Sequence, residues 1–133
     1  MTITEIALTD AHHTFPGLPA QVPAARTWAT ALLPTGHPRR DDLALIVGEL
    51  AANAVLHTRS GEFAIQIHVT EAAVTVTVTD EGAAASSAPR GAEEEEFGRG
   101  LILVAALADD YQEHDGRNGR TVRVRLDRNG GVR

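Results

Sequence analysis

The sequence predicts an α+β two-layer sandwich: a mixed, mainly antiparallel sheet with three helices on one face. Three observations carry this. Phe63, Ile65, Ile67 and Val69 alternate with Ala64, Gln66 and His68, and Val74, Val76 and Val78 alternate with Thr75, Thr77 and Thr79. A period of two is the mark of a half-buried strand, and the short link between the runs makes them a hairpin. Two apolar stretches, Asp41 to Thr58 and Leu101 to Asp109, have helical length and composition and must be buried.

In chain order, Thr2 to Thr9 (TITEIALT) reads as an imperfect first strand, and Asp10 to Pro19 as a loop by its Pro and Gly content. His12 and His13 have no ligand partner at metal spacing nearby and read as surface residues. Gln21 to Leu33 reads as a helix with Pro23 in its first turn and Trp28 on its apolar face. Pro34 to Pro38 breaks it. Arg39 and Arg40 read as solvent-exposed. Asp41 or Asp42 caps the central helix.

Within that helix Glu49, Asn53 and His57 fall at i, i+4 and i+8, which stacks three polar side chains along one stripe. Buried without partners they would cost several kcal/mol each at worst, on the order of 5. The stripe therefore faces a ligand pocket, or else solvent or a neighbouring loop. Arg59 to Glu62 turns into the hairpin. The second strand ends at Asp80-Glu81-Gly82, and Ala83 to Phe97, without apolar periodicity, reads as a lid. Gly98-Arg99-Gly100 then opens a helix at Leu101. Asp110 to His114 reads as a strand, Asp115 to Gly119 as a hairpin turn, and Thr121 to Leu126 as the last strand, with Val122, Val124 and Leu126 inward. Arg128 to Arg133 reads as a frayed tail.

The 133 residues suit one domain spanning 1–133. A net charge of −6 argues against a nucleic-acid or anionic-membrane binder. There is no cysteine, so disulfides and thiolate chemistry are excluded. All 12 basic residues are arginine, which removes a Walker-A lysine and Schiff-base chemistry. Neither a signal peptide nor a membrane-spanning run is visible, which makes the expected location cytoplasmic.

Three pieces recur in order: Glu49-x-x-x-Asn53 on a helix, Asp80-x-Gly82 at a strand end, and Gly98-x-Gly100 at a helix start. Together they resemble the ATPase superfamily of gyrase B and histidine kinases, with its Bergerat-type ATP-binding fold. Within it the chain is similar to the stand-alone, anti-sigma-factor-type serine kinases. GELAANAVLHT resembles the family's N box, VTVTVTDEG its first glycine box, and FGRGLILVAALADDY its second glycine box and following helix.

The resemblance implies ATP and Mg²⁺ as ligands. Asp80 would accept from the adenine amine, and Gly82 would let the backbone approach the base. The amides of Gly98 and Gly100 and the helix start at Leu101 would hold phosphates. Asn53 would offer an oxygen to Mg²⁺, and Glu49 would act as general base toward a serine hydroxyl. Thr121 resembles the last-strand threonine beside the adenine; an ordinary strand threonine reads the same. His57 reaches a phosphate or is a satisfied helix-end histidine. Arg99 and Arg90 meet phosphates on lid closure or stay solvated. Ala84 stands where the family has a second glycine, a departure that bears on catalysis more than on binding. The implied partners are an anti-anti-sigma protein as phosphorylation substrate, a sigma factor and a second copy of the chain. The alternative is a nucleotide-sensing module without transfer activity.

Overall fold

The computed structural model describes residues 7–57, 61–81, 92–116 and 119–130, with 92–99 described at the backbone. The elements are β1 (Thr9–Pro16), α1 (Gln21–Thr30), α2 (Arg40–His57), β2 (Glu62–Val69), β3 (Ala73–Asp80), α3 (Ala92–Leu107), β4 (Asp110–Gly116) and β5 (Gly119–Asp127). One sheet has the order β1-β2-β3-β5-β4, and every pair in it is antiparallel. The α+β sandwich is as expected.

The core follows from the alternation. Phe63, Ile65, Ile67, Val69, Val74, Val76, Val78, Val122, Val124 and Leu126 are buried on the inner face. They meet Leu43, Ile46, Val47, Leu50 and Ala54 of α2, the helix that is apolar nearly all round. The β2–β3 hairpin turns on Thr70, whose hydroxyl accepts from the Ala72 and Ala73 amides, both at 3.1 Å. Such a side-chain-closed turn fixes the register, and one slip would carry every valine to the solvent face.

Six expectations are corrected. The first strand is not Thr2 to Thr9. It is Thr9–Pro16, in the stretch the Pro and Gly content assigns to a loop, and residues 2–6 lie outside the described residues. Pairing overrides local composition here: Phe15 lies opposite Phe63 and stacks on it at 5.4 Å. Pro16 closes an edge strand, where its missing N–H costs nothing in the ladder. His12 and His13 are exposed as expected, and the His13 ring lies against Phe15 and Trp28 at 4.5 and 5.6 Å.

Arg39 and Arg40 are not solvated. Arg39 is 2% exposed. Its guanidinium donates to Asp42 at 2.9 Å, to Asp109 at 2.9 Å, and to the carbonyls of Asp127 and Leu107 at 2.7 and 3.1 Å. Arg40 donates to the carbonyls of Thr30 and Leu33 at 2.8 and 3.2 Å. Those carbonyls lie at the end of α1, which stops at Thr30 rather than Leu33. Asp41 and Asp42 sit in the first turn of α2 rather than at its cap.

Of the expected tail, residues 128–130 are held by backbone hydrogen bonds, and residues 131–133 lie outside the described residues. Arg128 N–H donates to the Ala72 carbonyl at 2.7 Å and Gly130 N–H to Asp127 at 3.0 Å. A Cβ at Gly130 would lie 2.6 Å from Asp109 Oδ2 and 2.7 Å from Arg39 Nη1, so the chain passes this ion pair only as glycine.

The third helix starts at Ala92, nine residues before the expected Leu101. Ala92 to Glu96 is a run of strong helix formers, and acidic residues near a helix start are favoured by its dipole. Gly98 and Gly100 therefore lie inside α3. The remainder of the expected lid, 83–91, falls outside the described residues, as do Arg117 and Asn118 of the β4–β5 turn.

Candidate functional site

The polar stripe of α2 lies where its spacing predicts. Asn53 is 6% exposed, and its Nδ2 has no hydrogen-bond partner among the described residues. An unpaired buried amide costs roughly 1–3 kcal/mol, which is the signature of a group reserved for a ligand. Glu49, one turn earlier, is half-buried and faces α3. There Gly100 makes room for it: a Cβ on Gly100 would run into Glu49 Oε1. The structure thus brings Glu49 and the second glycine of Gly98-x-Gly100 together across α2 and α3. His57, at the end of the stripe, is half-buried and engaged by neighbouring groups. This accords with the satisfied-histidine alternative.

Asp80 ends β3 and is 7% exposed. It belongs to a row that crosses the inner face of the sheet: Phe15, Phe63, Asp80, Arg120 and Asp115, each the direct cross-strand partner of the next. Hydrophobic on one side and charged on the other, this row forms the sheet end nearest the hairpin turn of β4 and β5. A cavity of about 180 Å³ opens at the end of β3, lined by Thr14, Glu62, Ala64, Thr79 and Glu81 of the helix-free face and by Phe63 and Asp80. It is smaller than the roughly 300–1,000 Å³ of whole-ligand pockets, so it is a notch at the sheet end. Gly119 lies beside the Asp80 carbonyl with φ of +143°, and a Cβ there would collide with that oxygen.

Three expected site residues are placed differently. Thr121 pairs with Thr79 and lines a groove on the helix-free face of the sheet with Gln66, His68, Thr75, Thr77 and Arg123. It therefore lies on the face opposite the inward position of Asp80. The inward position is Arg120, 8% exposed, which the reading by resemblance missed. The signal was present: with Val122, Val124 and Leu126 inward, strict alternation sends Arg120 inward and Thr121 outward. Gly98 and Gly100 lie in the body of α3 rather than ahead of it. In that conformation their amides belong to the helical ladder. Leu101 is half-buried against the core. The Arg99 side chain, Gly82, Ala84 and Arg90 lie outside what is described.

β4 sets the environment of Arg120. Glu113 Oε2 lies 3.3 Å from Arg120 Nε, and Asp115 Oδ1 lies 3.9 Å from it. The Tyr111 hydroxyl donates to Glu113 Oε1 at 3.0 Å. Burial first, and then the Glu113 carboxylate, push the Tyr111 hydroxyl up to about 12, so it stays a donor at neutral pH.

The residues present fit a phosphate-bearing ligand. Asn53 keeps its buried Nδ2 donor unpartnered among the described residues, and Gly100 makes room for the Glu49 carboxylate one turn away on α2. Among the described residues no group of three or more His, Asp or Glu is placed to hold a metal alone. No described helix is long and apolar enough to cross a membrane. Among curated proteins the chain has no match. Residues 15–126, from Phe15 on β1 to Leu126 on β5, match a family model, and the chain therefore belongs to the histidine kinase-like ATPase domain family.

Proposed function

We propose that this chain is an ATP- and Mg²⁺-binding regulatory protein of the anti-sigma type that phosphorylates a serine or threonine of a small anti-anti-sigma partner. In this reading it is a cytoplasmic homodimer that also holds a sigma factor. The observation that carries the proposal is the α2 stripe, with a buried, unpartnered Asn53 amide one turn from a Glu49 that Gly100 accommodates. Asn53 Oδ1 is the Mg²⁺ ligand, which leaves Nδ2 to donate to a phosphate oxygen or to water. Mg²⁺, when bound, offsets phosphate charge and holds the phosphates in place. Glu49 accepts the proton of the incoming hydroxyl, a role worth about 10²–10⁴ in rate. Asp80 accepts from the base amine at the inner-face end of β3.

The second reading, nucleotide sensing without transfer, is favoured by the helical state of Gly98 and Gly100, which withholds their amides from phosphate. Calorimetric titration of ATP with and without Mg²⁺, followed by label transfer from [γ-³²P]ATP to the partner, separates the two. Saturable, Mg²⁺-enhanced binding with transfer that Glu49→Ala removes supports the kinase. Binding without transfer supports the sensor. Absence of binding at millimolar nucleotide, or undiminished affinity in both Asn53→Ala and Asp80→Asn, refutes the pocket.

A further inference from the structure

The β3–β5 register places a charged pair at the base end of the site. Asp80 and Arg120 are direct cross-strand partners on the inner face, 7% and 8% exposed. Residues so placed have their side chains within reach of each other. From the far side the Glu113 and Asp115 carboxylates on β4 lie 3.3 and 3.9 Å from Arg120 Nε, and the Tyr111 hydroxyl donates to Glu113. The guanidinium thus sits between carboxylates of both neighbouring strands, largely shielded from solvent.

A carboxylate only accepts and a guanidinium only donates. Side by side, they offer both to whatever enters at the end of β3. Adenine carries an amine at C6. Guanine carries a carbonyl there, with donors on the adjoining edge, and arginine is the side chain that most often pairs with the guanine carbonyl. An aspartate alone accepts from the adenine amine and repels the guanine carbonyl. An arginine beside it gives that carbonyl a donor, while the carboxylate takes the adjoining N–H groups. Building on the nucleotide-binding reading above, we infer that Arg120 is a specificity-determining residue at the base end, and that it admits guanine nucleotides beside adenine nucleotides.

The test is calorimetric affinity for Mg-ATP and Mg-GTP in the parent chain, Arg120→Thr and Arg120→Gln, with a thermal melt on each. The parent is expected to bind the two nucleotides within about tenfold of each other. In Arg120→Thr, GTP should weaken about a hundredfold relative to ATP, because a buried carbonyl then faces a carboxylate with no donor. Arg120→Gln, which keeps a neutral donor, should fall between them, and it decides the matter if the threonine variant does not melt cooperatively. A parent that binds ATP but rejects GTP by more than about a hundredfold overturns the inference and leaves nucleotide binding standing. So does an unchanged GTP-to-ATP ratio in a folded Arg120 variant. A parent that binds neither nucleotide overturns both.

Discussion

Arg39 shows what a single residue can hold. It joins the start of α2 through Asp42, the end of α3 through the Leu107 carbonyl, and the end of β5 through Asp127, with Asp109 between them. Removing one partner of a buried pair costs roughly 3–5 kcal/mol. Asp42 and Asp109 keep some contact with water, at 28% and 19% exposure, which puts the expected loss at the low end. Arg39→Ala is expected to destabilise the fold by about 3 kcal/mol, read from urea unfolding. A loss below about 0.5 kcal/mol, the size of a surface change, would show that the network is ornamental.

Nothing in the sequence distinguishes Arg39 from an exposed arginine. Asp42 lies only three residues on, but the partners that bury it lie 68 to 88 residues away in the chain, and local spacing carries no trace of them.

His37 is the residue through which pH reaches this corner. It is buried, its Nδ1 accepts from the Arg39 amide at 3.0 Å, and its pKa is lowered by burial first and then by Arg128, Arg40 and Arg39. The folded state thus favours neutral His37, and the unfolded chain binds the proton more readily. Its contribution is complete above the unfolded value of 6.5 and is lost as pH falls through the lower folded value. Unfolding free energy should therefore drop on acidification below neutrality, and His37→Asn should flatten that part of the curve. An identical slope in the variant would assign the acid sensitivity to other groups.

At the scale of elements, α3 is the one to watch. Its two glycines each weaken a helix interior by roughly 0.5–1 kcal/mol relative to alanine. Gly98→Ala should accordingly raise the melting temperature by a few degrees, on the order of 2–4 °C. If nucleotide binding needs the amides of this segment released from the helix, the same change should weaken ATP about threefold or more, the cost of the added helix stability. Tighter or equal ATP binding in the more stable variant would show that the helical state is the binding state. Gly100→Ala acts differently. The atom its Cβ would meet is the far end of the Glu49 side chain, which can swing away cheaply. Fold stability should rise as in Gly98→Ala, while phosphoryl transfer falls by about 10²-fold through the displaced base. A parallel loss of stability and activity would point to helix packing rather than to Glu49.

The sequence made the strands with strict alternation legible, because β2, β3 and β5 carry a period that only one face of a sheet can satisfy. It made α2 legible for the matching reason, since apolar side chains on most sides of a helix leave no face for water. β1 and the start of α3 escaped. The first is held by Phe15 against Phe63 rather than by its own pattern, and the second begins in a glutamate run whose helix propensity was masked by the expectation of a lid. Of the candidate site, spacing and resemblance singled out Glu49, Asn53 and Asp80, and the last two are buried polar residues in the structure. Arg120 was lost because the resemblance to a threonine was followed one residue past the position that alternation turns inward.

For the whole molecule, the single tryptophan supplies an optical consequence. Trp28 lies edge-on to Phe15 at 5.7 Å, Phe15 stacks on Phe63, and Phe63 is the strand partner of Asp80. All tryptophan emission thus originates at one end of an aromatic chain whose other end is the proposed base site. A spectral change on adding nucleotide would report displacement of the sheet end, whereas a rearrangement confined to α3 would leave the emission dark to it.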